Sequence, residues 1–381
     1  MNYQPGYWES STIFNDIDVC VLGSGIVGLN AAIHLKASAP GLKVMVVERG
    51  FLPYGASTRN AGFACFGSMT ELLDDLEKET EDEVFRRVEL RWKGLTKLRS
   101  LLGDAALEYE PLGGFEVFTN QDKDIFKNCC EKLESFNKQL KNITGEAETY
   151  AVADNQINSF GFSGVDHLII NRGEGQLNTG KMMQALASVA QQNGVIFING
   201  LSVNAVESVN NLAVLTCDNG LTIRAKRLLV ANNGFAKQLF PSLPVVPARA
   251  QVLITKPIGN LKIKGSFHYE KGYYYFRNVQ NRILFGGGRN LDFSGETTTE
   301  FGTTSTIQNK LEELLHTMIL PNQKVEIDMR WSGIMGLGPS KSPVIQQLNE
   351  NVFCAVRMGG MGVAIGSLVG ETGAEMVLKT L

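Results

Sequence analysis

The sequence predicts an α/β fold, a Rossmann-like nucleotide-binding part joined to an α+β part with a large mixed or antiparallel sheet. Three observations carry this. Asp18 to Gly50 reads strand, glycine turn, helix, strand. Val252 to Phe293 is dense in β-forming residues and aromatics. Lys226 to Asn233 is an apolar run ending at Gly234, which reads as a return to the first sheet, and Val352 to Val356 is a further buried strand leading to a second glycine turn.

The first unit is the most specific. Asp18 to Leu22 is apolar and ends at Gly23; Gly25 and Gly28 complete G-x-G-x-x-G, and Leu29, Ala32 and Ile33 give the following helix an apolar face. Gly23 permits the tight turn, Gly25 lets a pyrophosphate approach the backbone, and Gly28 lets helix and strand pack closely. Val44 to Val47 is the next strand. Glu48 ends it, 20 residues after the last glycine. A carboxylate there accepts hydrogen bonds from ribose hydroxyls and disfavours a 2′-phosphate. Arg49 follows directly and belongs to the same candidate cofactor-binding set.

Composition sets outer bounds. A chain of 381 residues with 44% hydrophobic content can bury one large core or two intergrown ones. With 36 basic against 39 acidic residues the net charge is −3, which argues against a broad basic field for nucleic acid. The apolar stretch Met361 to Val369 is too short and too rich in glycine to span a bilayer. MNYQPGYWESSTIFND has no basic segment followed by an apolar core, so no secretory signal is expected. Cysteines 20, 65, 129, 130, 217 and 354 form no C-x-x-C, which argues against a disulfide framework and against a metal site. A reducing, cytoplasmic setting is expected.

Further along, Gly55 to Gly67, GASTRNAGFACFG, is a small-residue loop in which Ser57, Arg59 and Asn60 suit a phosphate or an anionic ring edge. Thr70 to Leu102 has the spacing of a solvated amphipathic helix pair. Gly113 to Thr119 alternates like a strand, and Asp122 to Leu140 is again an amphipathic helix. Asn178 to Ala190 opens on capping residues and places Met182, Leu186 and Val189 on one face, as core. Gly194 to Asn199, Val203 to Val206, Ala213 to Thr216 and Leu221 to Ile223 read as short strands, with Asn219-Gly220 as a hairpin turn. In the aromatic region Tyr273, Tyr275 and Arg277 share one strand face and Tyr274 and Phe276 the other, and Gly286 to Gly288 precede Arg289. Arg330-Trp331-Ser332-Gly333 then leads into an irregular stretch, IMGLGPSKSP. Gly360, Met361, Gly362 and Val363 aim the start of an apolar helix running to Leu378, an end that favours negative charge.

DVCVLGSGIVGLNAAIHL, GASTRNAGF, KRLLVANNG and GGMGVAIGSLVGETGAE together resemble the FAD-dependent D-amino-acid oxidase superfamily, in the style of its sarcosine oxidase, glycine oxidase and γ-glutamylputrescine oxidase relatives. The leading YWES and the W-x-G at 331–333 resemble the last of these. The resemblance implies an FAD-binding domain from segments 16–85, 150–245 and 330–381, and a substrate domain from 86–149 and 246–329. It also implies that Gly23, Gly25 and Gly28 hold the pyrophosphate, Glu48 the ribose, Ser57, Arg59 and Asn60 the diphosphate or flavin, and Val203 the adenine through its backbone. Gly360 to Val363 would lie beneath the flavin pyrimidine.

Three departures qualify the resemblance. Relatives carry a carboxylate-binding arginine shortly after W-x-G, where Met335 stands here, so Arg277 or Arg289 becomes the candidate anchor, with Tyr275 and Trp331 as an aromatic wall. No oxygen-activating lysine is recognisable in RILFGGGR, leaving oxygen or another electron acceptor as partner. No cysteine matches the covalent attachment point of some relatives, so FAD is expected to be noncovalent. The favoured activity is oxidation of the C–N bond of an amine or amino acid; a 2-hydroxy-acid dehydrogenase and a nonenzymatic flavoprotein subunit are the alternatives.

Overall fold

The computed structural model describes residues 3–381. Two eight-stranded sheets and a two-stranded ribbon, Phe63–Ala64 with Gly175–Gln176, organise it. At the centre of the first sheet Ile17–Leu22 lies between Val44–Glu48 and Thr222–Val230, with Ile196–Asn199 and Val352–Val356 outside them, all parallel. Val344–Gln347 adds an antiparallel edge. Strands covered on both faces read as continuous apolar runs, and these do. Val19, Val21, Val44 and Val46 pack against the helices Ile26–Ser38, Thr179–Gln192 and Gly362–Leu378. Cys20, Met45 and Cys354 face the other way, onto Ala213 and Leu215 of the meander Val203–Val209, Leu212–Cys217 and Thr222–Val230.

The second sheet runs Ile327–Leu337, Val246–Thr255, Arg282–Gly287, Tyr274–Val279, Ser266–Tyr269, Gly114–Thr119, Val165–Asn171, Tyr150–Val152. It is antiparallel except where Ser266–Tyr269 meets Gly114–Thr119. One face buries an aromatic core under helix Ser305–Leu314, in which the Phe267 and Phe276 rings stack at 4.7 Å. The expected alternation therefore appears: Tyr274 and Phe276 lie in this core, while Tyr273 and Tyr275 look to the opposite face.

Three expectations are corrected. Leu221–Ile223 and Lys226–Asn233 are one strand, Thr222–Val230, because exposed Arg224 and Lys226 alternate with buried neighbours and hide its continuity. The stretch after Gly333 is not irregular at its start: Ile327–Leu337 is one strand, paired with Val246–Thr255 along its length. Tyr150–Val152, Val165–Asn171 and residues 330–337 belong to the second sheet, although the expected boundaries put them with the nucleotide part. Those boundaries followed motif positions, whereas sheet membership follows hydrogen-bond partners distant in sequence. Among the described residues no helix is long and apolar enough to cross a membrane.

Candidate active site

A large cavity of about 1270 Å³ runs from the first glycine turn to the site face of the second sheet. That exceeds the roughly 300–1,000 Å³ of pockets for drug-sized ligands and leaves room for a dinucleotide and a substrate. At one end the helix Ile26–Ser38 starts at Gly25 without a side-chain cap on its first turn from within its own cap residue; instead the Ile26 N–H donates to Ser57 Oγ at 2.9 Å. Gly23, Gly25 and Val27 line the cavity. Gly28 does not. Its role is packing, since a Cβ there would lie 1.9 Å from the Gly23 carbonyl oxygen.

Glu48 also lines the cavity, and its carboxylate is already anchored: one oxygen accepts from Ser24 N–H at 3.0 Å and Ser24 Oγ at 2.9 Å, the other from Gly50 N–H at 3.0 Å. A carboxylate offers about four lone-pair sites, so it retains capacity for a ribose hydroxyl. Arg49 lies over the Phe235 ring at 3.7 Å, and Arg59 over Tyr54 and Phe301 at 4.3 and 4.7 Å while donating to the Ser332 carbonyl. Both line the cavity as flat, stacked cations. The Asn60 amide nitrogen donates to the Ala56 and Ser57 carbonyls and its oxygen accepts from Gly62 N–H, so it shapes the loop. Val203 is in the wall where Val203–Val209 begins.

The second glycine turn faces the same cavity. Gly360, Met361, Gly362 and Val363 all line it, and helix Gly362–Leu378 starts there with no side-chain cap. A Cβ on Gly360 would meet nothing within 4 Å, and one on Gly362 only Met358 at 3.6 Å. Packing within the chain therefore does not require glycine at either place; the free space lies on the cavity side. Asn232, also in the wall, has a buried side-chain oxygen without a hydrogen-bond partner. Two helix N-termini, an anchored carboxylate and an unused polar atom around one groove fit FAD.

Sequence reasoning missed the residues that brace this end. Asn233, with φ +50°, accepts through Oδ1 from Arg357 N–H at 3.0 Å and Met358 N–H at 3.3 Å. Arg357, itself at φ +69°, donates to the carbonyls of Ser342 and Pro244. The Asn-Asn-Gly run at 232–234 was the available signal, because asparagine tolerates left-handed backbone.

At the sheet end the four substrate-site candidates separate. Tyr275 and Arg289 line the cavity; Arg277 and Trp331 do not. Burial pushes the Tyr275 phenol up to about 12, so it stays a neutral donor, and Gly286 makes room for its ring, since a Cβ there would lie 2.6 Å from it. Arg289 is half-buried beside the Phe293 ring at 4.6 Å, and burial lowers its pKa. It forms no ion pair among the described residues. Arg277 has the expected face but lies one rung too far along its strand. The residue is 7% exposed; its guanidinium donates to the Leu177 carbonyl at 3.0 Å, and burial pushes it down to about 10. Trp331 donates through Nε1 to the Arg59 carbonyl at 3.0 Å and packs with Val252 and Leu284, so it holds the 55–67 loop. His268 lines the cavity and carries no expectation from sequence. It stands edge-on to Phe63 at 5.1 Å, and burial pushes its imidazole down to about 4.

The family model described as FAD dependent oxidoreductase matches residues 18–376. The chain belongs to this family. It is thus an FAD-dependent oxidoreductase of the D-amino-acid oxidase group. Gamma-glutamylputrescine oxidoreductase of Escherichia coli (strain K12) is 25% identical over 379 residues, covering 94% of this chain and 83% of that protein. Two solved structures share the fold. L-proline dehydrogenase from P. horikoshii has a TM-score of 0.75 at 18% identity, covering 96% of this chain and 94% of that one. Glycine oxidase from Geobacillus kaustophilus has a TM-score of 0.75 at 18% identity, covering 96% and 95%. Among the described residues Cys65 is the one thiol in the wall of the flavoprotein's cavity, and burial raises it well above the ordinary thiol value. A protonated thiol is a poor nucleophile, in keeping with noncovalent FAD.

Proposed function

We propose that this flavoprotein oxidises the C–N bond of an amine or amino acid that carries a carboxylate, producing an imine that water hydrolyses. The observation that carries this is Arg289, a half-buried guanidinium in the cavity wall with no ionic partner among the described residues. A planar cation held away from bulk water is a strong site for a carboxylate. Tyr275, in the wall of the same cavity, offers an apolar ring and a neutral O–H. The relatives' names, gamma-glutamylputrescine, glycine and proline, are all of nitrogen compounds.

In this reading the first sheet holds FAD and the second supplies the substrate wall. Gly23, Gly25 and the amides of the first helical turn receive the pyrophosphate, Glu48 a ribose hydroxyl, and Val203 the adenine. Gly360 to Val363 lie along the flavin. FAD, when bound, supplies the two-electron acceptor. Chemistry of this kind depends on positioning: Arg289 fixes one end of the substrate and the tyrosine wall excludes water from the other. Reoxidation passes to oxygen or another acceptor.

The test is anaerobic bleaching of the flavin across a panel of amines, amino acids and 2-hydroxy acids. A carboxylate-bearing amine should bleach it and yield a carbonyl product with ammonia or an amine. Arg289→Lys keeps the charge but loses the fork, and should raise the substrate concentration for half-maximal bleaching by about tenfold to a hundredfold, equivalent to ~1.5–3 kcal/mol, with FAD content unchanged. Bleaching by hydroxy acids alone, giving a keto acid without ammonia, would replace this reading.

A further inference from the structure

On the site face of the second sheet one cross-strand rung runs Glu116, His268, Tyr275, Gly286, Val252, Trp331, one residue from each of six strands. Neighbours in such a rung point to one side and stand roughly 5 Å apart. His268 is the junction between two spaces. It lines the large cavity, and it also lines a void of about 10 Å³ farther along the same face, together with Glu116, Glu174, Tyr150 and Asn171. That size is at the lower limit for one water, and Glu116, Glu174, Asn171 and His268 bring polar groups into walls that Met69, Phe115 and Ile169 otherwise make largely apolar.

Among the described residues neither acid at this void has a cation. Glu116 is 4% exposed and accepts from the Thr70 amide at 3.2 Å and from the Thr70 hydroxyl. Glu174 is 2% exposed; one oxygen accepts from Phe66 and Gly67 amides at 2.9 and 3.1 Å, and the other lies against Gly114, where a Cβ would be 2.0 Å away. Burial pushes Glu116 up to about 7 and Glu174 up to about 8. The third acid nearby differs: against its burial, Arg91 and Lys341 hold Glu71 at about 2. Tyr150, Cys65 and Cys129, which also face this region, are all shifted upward by burial and stay protonated. A buried carboxyl pair without a cation is costly as structure alone, because an amide would satisfy the same backbone donors.

We propose that His268, Glu116 and Glu174 form a proton store at the edge of the substrate wall, which takes up the proton that the substrate nitrogen must lose. The idea rests on the proposed amine oxidation: an ammonium nitrogen has no lone pair with which to form the imine. The N–H bond breaks with its electron pair left on nitrogen, and the proton bonds to the free ring nitrogen of His268. The proton on the other ring nitrogen leaves, through one water in the void, and forms an O–H bond on the Glu116 carboxylate. Glu174 keeps its own proton. His268 ends neutral in its other tautomer, and no electrons change hands in these steps.

Two measurements on the FAD-loaded protein test this. The first needs no substrate: infrared titration should show a protonated-carboxyl band that disappears between about pH 6 and 9, diminished in Glu116→Gln and in Glu174→Gln. The same protons make folding stability full below the ordinary carboxyl value of 4.5 and progressively lost as pH rises through about 7 and 8. The second follows a bleaching amine anaerobically with a pH-indicator dye in weak buffer. In the wild type proton appearance in solvent should lag bleaching. In Glu116→Gln the lag should vanish and bleaching slow by about tenfold. A missing carboxyl band at pH 6, or an unchanged lag in Glu116→Gln, overturns the store. If no amine bleaches the flavin, the proposed activity fails while the infrared result still decides whether the carboxyls hold protons. Should Glu116→Gln not fold, Glu174→Gln and the wild-type titration carry the same decision.

Discussion

The glycine groove and the aromatic wall face one cavity, yet they are built by opposite means. In the groove each element is local: Gly23, Gly25 and Gly28 lie within one turn, and Gly360 to Val363 open one helix. In the wall a single rung gathers residues from 116 to 331, and no two neighbours in it belong to consecutive positions of the chain. A local site can be read from spacing because backbone geometry over a few residues leaves little freedom. A rung is set by register, and a shift of two residues keeps the face but changes the surroundings. Tyr275 and Arg277 illustrate this. They share a face, but only the first reaches the cavity.

The largest expected effect separates the two kinds of glycine. Gly28→Val should drive a side chain into the Gly23 carbonyl and cost about 3 kcal/mol or more in unfolding of the FAD-free protein. Gly360→Val should leave that unfolding within about 0.5 kcal/mol, since nothing in the chain lies near, while lowering FAD retention at least about tenfold. Equal loss of stability in both would erase the distinction between a packing glycine and a ligand-facing one.

Arg277 offers a sharper comparison within the wall. Arg277→Met strands the Leu177 carbonyl and should cost about 1–3 kcal/mol of stability by thermal or denaturant unfolding. The substrate dependence of flavin bleaching should not move, in contrast to Arg289→Lys. A shifted dependence would return Arg277 to the substrate site.

The smallest effect belongs to Trp331→Phe, which removes the hydrogen bond to the Arg59 carbonyl. It should cost about 0.5–1.5 kcal/mol and leave the bleaching rate within about twofold, because the indole tethers the 55–67 loop from behind. A large fall in bleaching with intact stability would place the indole against substrate.

By itself the sequence determined the fold class, the two glycine turns with Glu48, and the alternation of Tyr273 to Arg277. Each depends on dihedral preference or on a period of two, which neighbouring residues carry without help. The extent of Thr222–Val230 and of Ile327–Leu337 was decided elsewhere, by the strands that pair with them. So was the division of labour among Arg277, Arg289 and Trp331, since a guanidinium or an indole carries no mark of whether its partner is a carbonyl or a cavity. His268 and Glu116 show the limit most plainly. They are 152 positions apart, each is an ordinary polar residue in a strand, and only parallel register between Ser266–Tyr269 and Gly114–Thr119 makes them neighbours around one buried void. Burial then moves their proton affinities in opposite directions, because desolvation penalises whichever form of each group is charged.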